Sequence, residues 1–308
     1  VYNSFLPEIA PPEQRDAISS RGWALGYAGG GLLLALNLLL LARADALGVS
    51  EAMAVRISLA SAGAWCVVFT IPVLLALRNR APAHVPPPGK NRVAVAFRQL
   101  AHTLKDARRF PQTLLFLIAY MIYNDAIQTV LAVAGQFGTD ALKIPISQLA
   151  TAILMAQFVG ILGAMGFGKL AARIGTKYSI AVTLAIWALI LIYIYAFVNN
   201  VTQFFLVTAG IAIVMGGSQA LSRSLFAQLV PKGKEAEYFS IYEISDKGTS
   251  WLGPMFYGLA LQWTGSYQAA ILSLIVFFAA GLAILSRVDV GKGERDLARS
   301  LSELPQLG

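Results

Sequence analysis

No charged residue occurs between Ser179 and Ser222. That is too long for one bilayer crossing, which takes about 20 residues as a helix. Asn199-Asn200 supplies a turn in its middle. The stretch predicts two helices back to back in a membrane, because only a helix satisfies its own backbone hydrogen bonds without water. The pattern continues along the chain. Apolar runs long enough to cross lie near 21–43, 54–78, 112–134, 147–170, 178–198, 201–225, 238–262 and 266–287. From Gly248 to Ser286 there is again no charge, with a break at Thr264-Gly265-Ser266. The short alternating segments of a membrane barrel are absent. Composition agrees: 57% of the 308 residues are apolar and 13% charged, against about 45–50% and about 25% in soluble domains. These values exclude a disordered chain, a disulfide scaffold and an ordinary cytosolic enzyme. Cys66 is the only cysteine, so no internal disulfide is possible. His84 and His102 have no second ligand at metal-binding spacing, and neither metal nor cofactor is expected.

The net charge of +8 is distributed by topology. Between the second and third runs lie Arg78, Arg80, Lys90, Arg92, Arg98, Lys105, Arg108 and Arg109. Lys169, Arg173, Lys177, Lys232, Lys234 and Arg287 fall on the same side, and the opposite loops hold only Arg43, Arg56 and Lys143. The positive-inside rule makes the first group, and the C-terminus, cytoplasmic. A bacterial inner membrane is the default host. Basic residues placed this way argue for lipid as the partner and against nucleic acid. The organisation expected is a membrane half over 1–80, a basic cytoplasmic linker over 81–110, a six-helix half over 111–288 and a tail over 289–308. In the linker, Pro82 and Pro86-Pro87-Pro88 are stiff and extended, and Phe97, Leu100 and Leu104 recur at helical spacing. They read as a short basic helix on the membrane surface or as a solvated linker. The tail carries no signal.

The chain repeats itself. Asn3-Ser4-Phe5-Leu6-Pro7-Glu8-Ile9-Ala10-Pro11 resembles Arg223-Ser224-Leu225-Phe226-Ala227-Gln228-Leu229-Val230-Pro231. Ser19-Ser20-Arg21-Gly22 resembles Ser245-Asp246-Lys247-Gly248 in the same order. Four spans precede Pro231 after the linker, whereas only a short stub precedes Pro11. Parallel repeats would make the chain a piece of a twelve-span protein that begins inside its fourth span. The alternative is a complete eight-span protein.

Two six-span halves joined by a basic loop resemble the major facilitator superfamily. Gly168-Lys169-Leu170-Ala171-Ala172-Arg173-Ile174-Gly175-Thr176-Lys177 is similar to its signature loop, G-x-L-A-D-R-x-G-R-K, with Ala172 in place of the acid and Thr176 in place of a base. Four stretches resemble the branch of fungal autophagy-associated vacuolar effluxers and their bacterial homologues: Ser19–Tyr27, Tyr123-Asn124-Asp125, Gly217-Ser218-Gln219-Ala220 and Tyr242–Gly248. The resemblance implies a major facilitator fold of two six-helix halves, here about eight transmembrane helices with the first half incomplete. It implies alternating-access transport, with amino-acid efflux suggested by the fungal members, and a monomer when complete.

A charge at mid-bilayer costs about 2.5–3.5 kcal/mol on insertion scales, so intramembrane charges are functional candidates. Asp125 lies mid-span beside Asn124 and Tyr123, with Gln128 three residues on and Tyr120 one turn before Asn124. This polar stripe reads as a solute or proton site; the competing reading is a buried cluster that locks helices. The resemblance places it, with Gln219, at a central cavity. Glu243, Asp246 and Lys247 form a second cluster, in which Glu243 and Lys247 are spaced to pair, leaving Asp246 for Arg223. With Arg173 and Lys177 they are candidates for a gating network or for structural pairs. Gly22, Gly26 and Gly30 recur every four residues, a face on which another helix packs closely. Gly253-Pro254 marks a packed or bent site in the second half. The leading function is a secondary transporter of a small polar solute, proton-coupled or uniporting, with Asp125 as the coupling group. The alternatives are a non-transporting receptor or scaffold and an inactive transporter fragment. An intramembrane enzyme would need clustered histidines, paired carboxylates or a metal set, and none is written here.

Overall fold

Residues 2–76, 103, 105–248 and 251–302 are described in a computed structural model. The helices are α1 (Arg15–Ala42), α2 (Glu51–Ala76), α3 (Pro111–Gln136), α4 (Ile146–Ile174), α5 (Thr176–Phe197) and α6 (Val201–Gln228). They continue with α7 (Glu235–Gly248), α8 (Leu252–Thr264), α9 (Tyr267–Ser273), α10 (Ile275–Ser286) and α11 (Val290–Ser302). No strand occurs among the described residues. Seven helical stretches among them are long and apolar enough to cross a membrane, the last being α9 and α10 joined at Leu274. Within the expected span at 238–262, α7 is described to Gly248 and a helix start lies at Leu252, with Trp251 at its cap position. The surface helix expected around Phe97, Leu100 and Leu104 lies outside the described residues.

The turns fall where the punctuation residues predict. The Asn200 side chain accepts from the Gln203 amide at 3.0 Å and opens α6. Gly265, at φ +63°, closes α8, and the Ser266 hydroxyl accepts from Ala269 N–H at 3.3 Å to open α9. Between α4 and α5, Gly175 turns the chain at φ +88°. Large apolar side chains on α1 and α2, among them Leu25, Leu59 and Leu75, are exposed, as on a surface that meets lipid or protein rather than water.

The interior is organised by two packing systems. In one, α10 sits between α3 and α5, with Trp187 stacked on Phe278 at 5.4 Å. In the other, α4 lies against both α6 and α1. A Cβ on Gly163 would overlap the Ile213 carbonyl, and one on Gly216 would lie 2.8 Å from the Gly160 carbonyl. The backbones of α4 and α6 therefore touch, a packing mode that small residues permit in lipid. The close face was expected on α1 at Gly22, Gly26 and Gly30. Instead α1 buries Ser20, Ala24, Tyr27 and Gly31, a stripe that leaves Gly26 with nothing within 4 Å. Gly30 lies beside the Gln157 side chain and Gly22 beside that of Arg223. The glycines that bring backbone against backbone are Gly163 on α4 and Gly216 on α6.

Candidate functional site

Consecutive residues on a helix point about 100° apart, so Tyr123, Asn124 and Asp125 cannot face one cavity. All three are buried. Asn124 Oδ1 accepts from Gln219 Nε2 at 2.7 Å, joining α3 to α6. The Tyr123 and Ser222 hydroxyls are 2.5 Å apart, and Ser222 donates to the Ser218 carbonyl at 2.6 Å, which leaves Tyr123 as the donor. Asp125 points elsewhere. Its Oδ2 accepts from the Gly253 amide of α8 at 2.6 Å, and its Oδ1 has no partner among the described residues. Gln128 is half-buried. Tyr120 stacks on Tyr242 at 4.2 Å, within an aromatic cluster that includes Phe116, Phe226 and Phe239. The stripe read from sequence is thus split between two neighbours: Asn124 and Gln219 are brought together, and Asp125 is sent to α8.

A second polar system joins the start of α1 to the end of α6. Arg15 donates to the Ala227 carbonyl at 3.0 Å, and Ser19 to the Ala220 carbonyl at 2.6 Å. Arg223 reaches back from α6, bonding the Ser19 hydroxyl, the Ser19 carbonyl and Asn3 Oδ1, each at 3.0 Å. Asn3 Nδ2 donates in turn to Glu243 Oε1 on α7 at 2.5 Å. Thr176 donates to Asp16 at 2.7 Å, which ties the signature-like loop to α1 at the position where the pattern has a base. Arg223 is thus engaged with Ser19 and Asn3. The side chains of Asp246 and Lys247 lie outside the described residues.

At the opposite end, α3, α4 and α6 enclose a mostly apolar groove of about 520 Å³. Its wall includes Leu131, Gln157, Thr208 and Met215, the last one turn from Gln219. The polar pair therefore lies between the Arg223–Ser19–Asn3 cluster, itself beside a cavity of about 380 Å³, and this groove.

Arg173 is exposed. Lys177 donates to the Ser286 and Val288 carbonyls at 2.9 and 2.6 Å, capping the end of α10. Lys177→Ala is expected to cost about 1 kcal/mol, read as a small drop in melting temperature with the helix content unchanged.

Sequence reading missed two features. In the sequence Asn3 and Ser19 stand out only as repeat residues and Asp16 not at all, although a polar run at the head of an apolar helix is itself a signal. The tail was read as featureless, yet α11 is amphipathic and its Gly293 sits on Leu229 and Gln112. Val290 and Leu297, seven residues apart, carry that spacing.

The helices and their packing define a multi-pass membrane protein with the major facilitator fold. A crystal structure of a bacterial homolog to the human lysosomal transporter Spinster, in an inward-facing and unoccupied conformation, superposes with a TM-score of 0.51 at 15% identity, covering 97% of this chain and 74% of that one. The chain belongs to the family described as vacuole effluxer Atg22 like, whose model matches residues 4–298. It is 33% identical over 304 residues to the uncharacterized MFS-type transporter YxiO of Bacillus subtilis, covering 96% of this chain and 70% of that protein. Against autophagy-related protein 22-1 of Sclerotinia sclerotiorum it is 29% identical, with 92% of this chain and 51% of the relative covered. The chain spans about half the length of the fungal relatives it matches.

Proposed function

We infer that the full-length protein is a secondary transporter of a small polar solute, working by alternating access without a cofactor. One observation carries the reading: the buried Asn124–Gln219 pair lies between the Arg223, Ser19 and Asn3 cluster that ties α1 to α6 and the groove beside Met215. A polar pair is costly in lipid unless satisfied, and it can exchange its partner for a solute that brings equivalent hydrogen bonds. The basic residues at the Arg223 end support a cytoplasmic assignment for that end and for the C-terminus, in a bacterial inner membrane. The family description supports efflux, with amino acids the first class to test. Asp125 is the coupling group, and exchange of a proton there drives accumulation.

The test uses the full-length protein in proteoliposomes, with a mixture of labelled amino acids and an imposed pH gradient. The parent is expected to concentrate solute. Asp125→Asn should fold and pass solute down its gradient but lose concentration by at least tenfold. Undiminished accumulation by Asp125→Asn would remove the coupling assignment.

A further inference from the structure

The geometry points to Asp125 as the cap of a half-helix, a positioning residue that holds the start of α8 against α3 and acts on transport through α8 rather than by touching solute. The inference deepens the coupling role proposed above and rests on that reading only for its link to transport.

The sequence from 238 to 262 reads as one membrane span, yet α8 begins inside it at Leu252. A helix that starts there presents unsatisfied N–H groups where no water is available. The residue at the capping position is Trp251, which offers no side-chain acceptor, and no local cap forms. Of the first three residues of α8, Pro254 has no N–H to satisfy. Gly253 gives its N–H to Asp125 Oδ2 at 2.6 Å, from a residue 128 positions away in sequence. The carboxylate also faces the positive end of the helix dipole. The observed partner of Asp125 is this helix end, through the Gly253 amide.

The joint is shaped for this contact. A Cβ on Gly253 would overlap the Thr129 hydroxyl and lie 3.0 Å from Thr129 Cβ and 3.1 Å from the Asp125 carbonyl. Thr129 is fixed in turn by donating to that carbonyl at 2.7 Å. Only glycine lets α8 approach near enough for its amide to reach the carboxylate. Asp125, Thr129, Gly253 and Pro254 therefore act as one joint between α3 and α8.

Hydrogen exchange on the full-length protein in nanodiscs tests the joint without any solute. The peptide covering Trp251–Tyr257 should exchange slowly in the parent and in Asp125→Asn, whose side-chain carbonyl still accepts the Gly253 bond. In Asp125→Ala it should exchange at least tenfold faster while peptides from α9 and α10 keep the parental rate. An Asp125→Ala protein with parental exchange over Trp251–Tyr257 overturns the inference. If Asp125→Ala loosens every peptide, Gly253→Ala carries the test from the other side. It must speed the same peptide with Asp125 intact, and an unchanged rate overturns the joint. Exchange and flux are separate readouts, so failure of the joint leaves the transport reading standing, and the reverse holds.

Discussion

Gly163→Val will prevent α4 from seating on α6, whereas Gly166→Val on the same helix will be tolerated. The Gly163 Cα faces backbone: an added Cβ would overlap the Ile213 carbonyl and lie 2.5 Å from the Ile213 Cα. A flexible side chain can swing away from such a clash, but a helix backbone moves only as a whole. Overpacking a core costs about 1–3 kcal/mol when side chains can adjust, and this contact lies at or beyond the upper end. Gly166 has nothing within 4 Å of its Cβ position, and valine is a better helix former than glycine, so the substitution there carries no clash and no propensity cost. Both variants are to be compared by yield of monodisperse protein and by thermal unfolding in detergent. Equal behaviour of the two would mean that α4 and α6 do not meet through backbone.

Arg223→Ala is the second large effect, and it acts on conformation more than on folding. The guanidinium makes three bonds across to Ser19 and Asn3, two of them to one residue in the fork geometry that lysine cannot reproduce. Hydrogen bonds to charged groups contribute about 1.5–3 kcal/mol each. Losing even one of the three therefore shifts an open–closed equilibrium by about tenfold or more, at 1.4 kcal/mol per factor of ten. A cysteine at the buried Ser20 position, in a full-length protein with Cys66 and every other cysteine replaced by serine, reports opening through its reaction with a water-soluble maleimide. The rate should rise at least tenfold in Arg223→Ala and only partly recover in Arg223→Lys. An unchanged rate would mean that Arg223 does not hold this end shut.

Much of this architecture is legible in the residues, for identifiable reasons. Long uncharged runs specify helices in lipid, and Asn199-Asn200, Gly175 and Thr264-Gly265-Ser266 punctuate them, so the spans and turns follow from sequence. The repeat carries more than it first shows: Asn3 and Arg223, which head the matched segments, are hydrogen-bonded to each other. What sequence could not assign is the direction of side chains within a span. Asp125 and Asn124 are neighbours in sequence but bond to α8 and α6, because each residue turns by about 100°. The helix start at Leu252 leaves little trace in hydropathy, since Trp251 and Leu252 are themselves apolar; Gly253-Pro254 was its mark. The Gly22, Gly26 and Gly30 periodicity suggested one packing face, while the face in use is set by the partner helix. On α4, Gly160, Ala164 and Gly168 repeat every four residues and carry the signal that was there to be read.

The account stands on alternating access through the end tied by Arg223, and one distance tests it. Spin labels at Arg21 on α1 and Lys232 after α6, in the full-length protein with Cys66 and every other native cysteine replaced by serine, in lipid nanodiscs, report the separation of the two sides of the latch. The account predicts two distance populations, a dominant short one in the parent and a longer one that grows in Arg223→Ala. A single distance, the same in parent and variant, would contradict a gate at this end.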